Sequence, residues 1–251
     1  MRDLFASAVL AAQFLTRLPL PAHGYTPARW ARVPQHFALV GLVVGGVLAA
    51  LYWGLNMIWP QALAAVIMLA CALAITGALH EDGLADSLDG LGGGRDRARA
   101  LEIMRDSQIG SYGALGLGVA LALQAVALAT TPVAVGAGGL LVGHTLSRAM
   151  MAHALGQGRY LRDKGAGVGL DLPLGTAGWA LTLASCGAAV LLAALVIGAG
   201  GVLSSLAVGL VTALAWRRWT LRRLGGDTGD TLGALQVVCL TGCLLGAAAW
   251  A

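Results

Sequence analysis

Five uninterrupted runs without a charged residue dominate this chain and limit how it can fold: 37–57, 62–79, 114–130, 177–198 and 232–250. Each run approaches the roughly 20 residues that a helix needs to cross a hydrocarbon core of about 30 Å. A backbone in lipid must satisfy its hydrogen bonds within its own segment, so such runs are helices. Two further apolar runs, 133–153 and 201–219, carry Arg148 and Arg217 near their ends. We therefore predict an all-α, polytopic transmembrane helix bundle with about seven spans.

The composition excludes a water-soluble fold. Hydrophobic residues make up 58% of the chain and charged residues only 11%, whereas soluble domains carry about 25% charge. No linker or low-complexity segment interrupts the pattern, which predicts one integral membrane domain over 1–251. The first apolar stretch, 4–15, is short for a span. We interpret it as an interfacial or re-entrant helix, with a short eighth span as the alternative.

The charged residues are concentrated in four connections: 16–36, 80–112, 155–172 and 217–230. Two predicted spans separate each connection from the next, so all four lie on the same side of the membrane. The intervening turns carry no charge, and the positive-inside rule then places the charged connections in the cytoplasm. We predict a multi-pass protein of the bacterial inner membrane. The net charge of +4 is explained by this topology and indicates no nucleic-acid partner.

The connection 80–112 is the predicted cytoplasmic catalytic loop, and its carboxylates indicate a metal site. If helix continues through it, Asp82, Asp86 and Asp89 are spaced i, i+4 and i+7 and fall within roughly 60° of one another. Three like charges on one face are costly near a membrane unless a cation lies between them. Mg²⁺ prefers oxygen ligands and shares them with substrate phosphates. A solvated polar helix face is the alternative, and Glu81, about 100° away, is a weaker candidate ligand.

Several arginines are candidates for binding phosphate groups. Arg105 and Asp106 precede a glycine-flanked helix start, and helix N-termini favour anions, while Arg binds phosphate oxygens bidentately. Arg95 and Arg99 are one turn apart and either bind substrate or face solvent. Arg148, four residues after a histidine, either extends to the interface or is a charge partner of the acidic site.

The start of the last span is polar and rich in glycine. Thr228 is the predicted cap of that helix, whereas Asp230 either caps it or binds a ligand. His80 and Arg162, both in charged connections, are further candidates for substrate binding. Two glycine pairs at i, i+4 spacing, Gly41 with Gly45 and Gly139 with Gly143, are typical of close helix packing.

Five segments together resemble the adenosylcobinamide-GDP ribazoletransferase family, also called cobalamin synthase. They are, in the order found in the family, 14–21 (FLTRLPLP), 80–90 (HEDGLADSLDG), 103–113 (IMRDSQIGSYG), 147–148 (SR) and 225–230 (GGDTGD). The chain departs from the family in two places. Phe37 is followed by Ala38 instead of proline, and Gln236 lies in a last-span segment where the family often has a glutamate, so no catalytic role is assigned there.

The resemblance implies the reaction and its partners. α-Ribazole, or its 5′-phosphate, would displace GMP from adenosylcobinamide-GDP and give adenosylcobalamin or its 5′-phosphate. It also implies dependence on Mg²⁺ and a place among the last steps of cobalamin biosynthesis. Membrane lipids are the other expected partners, and a homo-oligomer is left open.

Our hypothesis from the residues is that Asp82, Asp86 and Asp89 hold Mg²⁺ with support from Asp106. Asp89 would accept the proton of the ribazole 5′-hydroxyl, and two arginines, Arg105 and Arg148, would clamp phosphate oxygens. Two rival functions are a CDP-alcohol-type membrane phosphotransferase and a transporter. The first usually has an arginine at the place of Asp86, and the second usually places ionisable groups near the midplane.

Overall fold

The computed structural model describes residues 2–21, 23–161 and 167–251. Its long helices cover the predicted apolar runs, and a 3-10 helix, Val33–His36, precedes the first of them. The α-helices are α1 (Arg2–Leu15), α2 (Pro27–Trp30), α3 (Phe37–Asn56), α4 (Gln61–Thr76), α5 (Leu79–Gly93), α6 (Arg97–Ile103), α7 (Ser111–Thr130), α8 (Val133–Leu155), α9 (Thr176–Leu224) and α10 (Gly229–Trp250).

Length and hydropathy identify four helices among the described residues that can cross a membrane, or five if the bent pair α4 and α5 counts as one span. This is fewer than the predicted seven, for two physical reasons. Helix α8 contains a histidine and an arginine, His144 and Arg148, which lower its hydropathy. Helix α9 is a single run of 49 residues, about 74 Å at 1.5 Å per residue, which is more than twice the thickness of a bilayer core.

Helix α9 folds back on itself at Gly198. The backbone there has φ 71° and ψ 168°, a conformation that glycine adopts without strain. Before the break, Ile197 lies beside Gly138 and Trp179 beside His153, so this half runs antiparallel to α8. After the break, the Ser204 hydroxyl donates to the Gly246 carbonyl, and the Trp216 indole donates to the Thr231 carbonyl. The second half therefore runs antiparallel to α10.

The small-residue pairs make the close contacts that their spacing predicts. A Cβ atom added at Gly41 would collide with the backbone of His144 in α8, and one added at Gly45 would lie 3.0 Å from the His144 side chain. Gly139 and Gly143 lie against Leu244 and Leu240 of α10. Helix α8 is therefore packed between α3 and α10 at distances that only small residues allow.

The four charged connections meet at one end of the bundle, which we call the charged face. The Arg17 amide donates to the Ile75 carbonyl at 2.7 Å, and the Trp30 indole to that of Val168 at 2.9 Å. The Asp227 amide donates to the Arg159 carbonyl at 2.8 Å, and the Arg223 guanidinium donates to the Gly94 carbonyl at 2.8 Å. At the opposite end, the Tyr52 hydroxyl donates to the Leu128 carbonyl at 2.6 Å. The deduction that the charged connections share one side is confirmed by these contacts.

Helix α5 is a separate element. It does not continue α4, although the sequence analysis considered helix continuing from the second span through the acidic residues. The two helices meet at 91°, because Gly77 (φ 65°) and Ala78 (φ 55°) both adopt left-handed backbone conformations. Helix α5 therefore turns away from the α4 axis and packs against α7 and α10. The acidic residues still share one helix, as predicted.

Helix α1 is 14 residues long, about 21 Å, too short to cross a bilayer core of about 30 Å. Its Ser7 hydroxyl hydrogen-bonds His36 at 2.9 Å, and Phe14 stacks on Phe37 at 6.0 Å between ring centroids. These contacts place α1 beside the first turn of α3, as expected of an interfacial helix.

Candidate active site

The three aspartates of α5 differ in exposure although they share one helix. Asp82 is exposed, Asp86 is half-buried and Asp89 is only 8% exposed. Glu81 and Asp82 lie in the first turn of α5, where negative charge is favourable to the helix dipole. The open end of the acidic face is therefore at Asp82, and its closed end is at Asp89.

Asp89 caps the start of α7. Its Oδ2 accepts from the Gly110 amide at 2.7 Å and its Oδ1 from the Gly113 amide at 2.9 Å. The first amides of a helix lack partners within that helix, and charge-assisted bonds to a carboxylate are the strong way to satisfy them. A Cβ atom at Gly110 or Gly113 would collide with this carboxylate. Asp89 thus fastens α7 to α5, and its predicted roles as proton acceptor and metal ligand stay predictions.

The predicted metal ligands are not gathered into one cluster. Among the described residues, no three His, Cys, Asp or Glu side chains converge as a metal site. Asp106 is exposed, and its Oδ1 accepts from the Gln108 amide at 3.0 Å in the turn after α6. Asp82 and Asp86, one turn apart, are the pair best placed to share a cation. Two carboxylates suit Mg²⁺, which usually takes one or two and completes its shell with water and substrate phosphates.

The predicted basic residues around α6 lie at the surface of the charged face. Arg95, Arg99 and Arg105 are all exposed. Arg99 pairs with Glu102 at 2.8 Å, and this hydrogen-bonded carboxylate raises the pKa of Arg99. Asp96 caps α6 by accepting from the Arg99 amide at 2.9 Å. Arg162 lies outside the described residues.

Arg148 and Glu81 lie in a buried polar cluster below this surface, together with His80, His144 and Gln236. Arg148 is completely buried, and its Nη1 is 2.9 Å from Nδ1 of His144. Glu81 is the acid whose charge acts on Arg148. The structure therefore does not place Arg148 or Glu81 on the open face with Asp82, where a phosphate clamp and a metal ligand were predicted.

Most of this cluster has unused hydrogen-bonding capacity. In the described part of the chain, no partner is found for Nε and Nη2 of Arg148, both ring nitrogens of His80, Oε2 of Glu81 or Oε1 of Gln236. The groups line a cavity of about 10 Å³, close to the space that one water molecule needs. The cluster lies where α5, α8 and α10 meet.

A larger cavity of about 190 Å³ opens between α5, α8 and α10 at the charged face. His80 and Asp82 line it from α5, and Asp230 lines it from α10. Gly83 allows the two helices to touch, because a Cβ atom there would lie 2.8 Å from the Asp230 carbonyl. Thr228 caps α10 as predicted, in a capping box with Thr231, so Asp230 is not the cap.

Two buried polar residues near the site, Gln236 and Asp227, are not among the site residues predicted from the sequence. Gln236 is 1% exposed inside a span, and a lone amide in an apolar run is itself a signal of a buried polar partner. Asp227 forms a buried ion pair with Arg217 at 3.2 Å. Burial raises the pKa of Asp227, and the Arg217 charge opposes this shift. The backbone of Asp227 holds the α9–α10 turn against Arg159 and Leu161 through two hydrogen bonds.

Comparison with known proteins matches these elements to one family. The family model described as cobalamin-5-phosphate synthase matches residues 7–248. Relatives named adenosylcobinamide-GDP ribazoletransferase include a protein of Leptothrix cholodnii, 41% identical over 94% of this chain and 92% of its own length. The relative from Shewanella amazonensis is 38% identical over 92% and 90% of the two chains, and that from Roseiflexus sp. is 38% identical over 97% and 91%. No solved structure matches. The chain belongs to the cobalamin-5-phosphate synthase family.

Proposed function

We propose that this protein transfers adenosylcobinamide phosphate from adenosylcobinamide-GDP to α-ribazole or its 5′-phosphate and releases GMP. The observation that carries the proposal is the family match over residues 7–248, which includes every element of the charged face. The names of relatives at 36–41% identity point to the same reaction. The bundle, with its apolar helices, is that of a membrane enzyme.

The reaction makes one phosphorus–oxygen bond and breaks another. A ribose hydroxyl of the ribazole attacks the phosphorus that carries the cobinamide, the bond to GMP breaks, and the hydroxyl proton is lost. The 5′-oxygen is not the attacking atom, because the product keeps the 5′-phosphate when the acceptor carries one. Catalysis of this kind rests on positioning and on neutralising negative charge. The protein must therefore supply a cation site, a proton acceptor and groups that hold the phosphates.

Asp82 and Asp86 are the residues that would hold Mg²⁺ in this proposal. A bound Mg²⁺ would neutralise the charge that develops on the leaving phosphate. Asp82 is exposed at the mouth of the larger cavity, so substrate can reach its carboxylate. Asp89 has both carboxylate oxygens engaged by α7, and we therefore assign the proton acceptor to Asp82 as well.

The exposed arginines of the charged face supply the remaining positive charge. Arg95 and Arg105 are exposed and flank α6, where phosphate oxygens of the nucleotide can approach them. Guanidinium groups bind such oxygens bidentately. We further propose that the charged face lies in the cytoplasm of a bacterial cell, since its connections carry the basic residues.

GMP release by the purified protein in lipid vesicles tests the function. Release should require both adenosylcobinamide-GDP and α-ribazole, and chelation of divalent cations should abolish it. A CDP-alcohol-type phosphotransferase would release CMP from a CDP-alcohol instead. A transporter would accumulate substrate in the vesicles without forming product.

A further inference from the structure

The larger cavity at the charged face has mostly apolar walls. They are formed by Phe14, Phe37, Met151, Leu155, Leu170 and Leu232. Phe14 and Phe37 stack on each other with their planes 15° apart, so two aromatic rings lie side by side in the lining. An apolar cavity of about 150 Å³ can take up a benzene ring. The volume of about 190 Å³ therefore has room for a small fused aromatic ring and not for a corrin.

One buried polar side chain lies in the wall of this cavity. His80 is 1% exposed, and neither ring nitrogen has a partner in the described part of the chain. Of the two nitrogens of a neutral imidazole, one donates and the other accepts. His80 lies between this cavity and the small polar one. A buried donor left unpaired is unfavourable, so a ligand with one acceptor atom would be favoured here.

We infer that this cavity binds the benzimidazole ring of α-ribazole, an inference that rests on the proposed function. The ring is flat and apolar and has one free acceptor nitrogen, which His80 can bond. Ring stacking against Phe14 and Phe37 favours an aromatic occupant. The ribose would extend toward Asp82 at the cavity mouth, which brings the attacking ribose hydroxyl to the carboxylate that accepts its proton.

The other aromatic groups of the substrates fit this cavity less well. Guanine carries an amide and an amino group as donors and a carbonyl as acceptor, and each needs a partner when buried. The polar side chains of the lining are His80, Asp82, Tyr160 and Asp230, and the rest of the wall is apolar or glycine. A guanine held among the apolar side chains would leave several of its groups without partners, so the cavity favours the nucleoside that attacks over the nucleotide that leaves.

A bulky substitution in the cavity wall tests the inference. Leu155→Phe fills part of the cavity, and we expect the KM for α-ribazole to rise at least tenfold while the KM for adenosylcobinamide-GDP stays within about twofold. Leu141→Phe is the matched control, because Leu141 is a buried leucine of the same helix outside the cavity wall. It should leave both values near those of wild type.

A second variant covers the case in which Leu155→Phe fails to fold. Met151→Ala enlarges the cavity and should shift the preference, measured as the ratio of kcat/KM values, toward a nucleoside with a larger, naphthimidazole base. An unchanged KM for α-ribazole in Leu155→Phe, an increase for adenosylcobinamide-GDP instead, or an unchanged preference in Met151→Ala would overturn the inference.

Direct binding separates this inference from the proposed function. Equilibrium dialysis of radiolabelled α-ribazole against detergent-solubilised protein needs no turnover. Binding by wild type that is weakened by Leu155→Phe and not by Leu141→Phe supports the cavity even if no GMP is released. If GMP release is normal and both variants bind α-ribazole as tightly as wild type does, the proposed function stands and the cavity assignment is refuted.

Discussion

Asp82 and Asp89 lie on the same helix, yet their surroundings give them different roles. Asp82 is exposed at the cavity mouth, whereas Asp89 accepts two amide bonds from the start of α7. Asp82→Asn should lower kcat at least a hundredfold and leave the thermal midpoint in detergent unchanged. Asp89→Ala should lower the free energy of unfolding by about 2–4 kcal/mol, because two charge-assisted bonds are lost. The reverse pattern, with Asp82 stabilising the fold, would contradict these roles.

The buried charges of Arg148 and Glu81 give a second prediction at the residue scale. Arg148→Met leaves Glu81 without its counter-charge and should destabilise the protein by about 3–5 kcal/mol. The double variant with Glu81→Gln should recover part of this loss. Arg99→Met is the control, since its pair with Glu102 is exposed to solvent and its loss should leave the free energy of unfolding nearly unchanged.

The same variants decide what Glu81 does. If Glu81 balances Arg148, Glu81→Gln should leave the Mg²⁺ concentration for half-maximal rate unchanged. A large increase in that concentration, with no coupling between the two substitutions, would restore Glu81 as a metal ligand.

At the scale of the elements, the contact between α3 and α8 depends on glycine. A Cβ atom at Gly41 would collide with the backbone of His144 and Thr145, whereas one at Gly54 of the same helix meets nothing within 4 Å. Gly41→Ala should therefore lower the free energy of unfolding by about 1–3 kcal/mol. Gly54→Ala should be neutral or slightly stabilising. Thermal unfolding in detergent compares the two, and equal midpoints would show that the helices are not packed this closely.

The sequence predicted features that depend on local pattern. The apolar runs are helices, the charged connections share one end, Thr228 caps α10, and the paired glycines face neighbouring helices. Each follows from periodicity, charge or spacing within one segment.

Features that depend on partners far along the chain were not predictable. The bend at Gly77 and Ala78 was missed, because a left-handed alanine is costly and only surrounding packing can hold it. Asp89 could be placed on a helix face, but its bond to Gly110 joins two elements 21 residues apart. For the same reason, the burial of Arg148 depends on which side of α8 faces the bundle interior.

At the scale of the whole molecule, the proposed orientation predicts which end of the bundle faces the cytoplasm. Cysteines introduced at Arg95 and Ala199, both exposed, mark the charged face and the opposite end. A membrane-impermeant maleimide should label Arg95→Cys only in inverted vesicles and Ala199→Cys only in right-side-out ones. Labelling with the opposite pattern would place the charged face outside the cytoplasm.

The central claim is that a membrane-embedded member of this family performs the transfer at the acidic helix α5. The most direct measurement is the initial rate of GMP release from adenosylcobinamide-GDP, with and without α-ribazole, for wild type and Asp82→Asn in the same vesicles. We predict release by wild type only when α-ribazole is present and almost none by the variant. A rate of GMP release that does not depend on α-ribazole, or an Asp82→Asn variant as fast as wild type, would contradict the central claim.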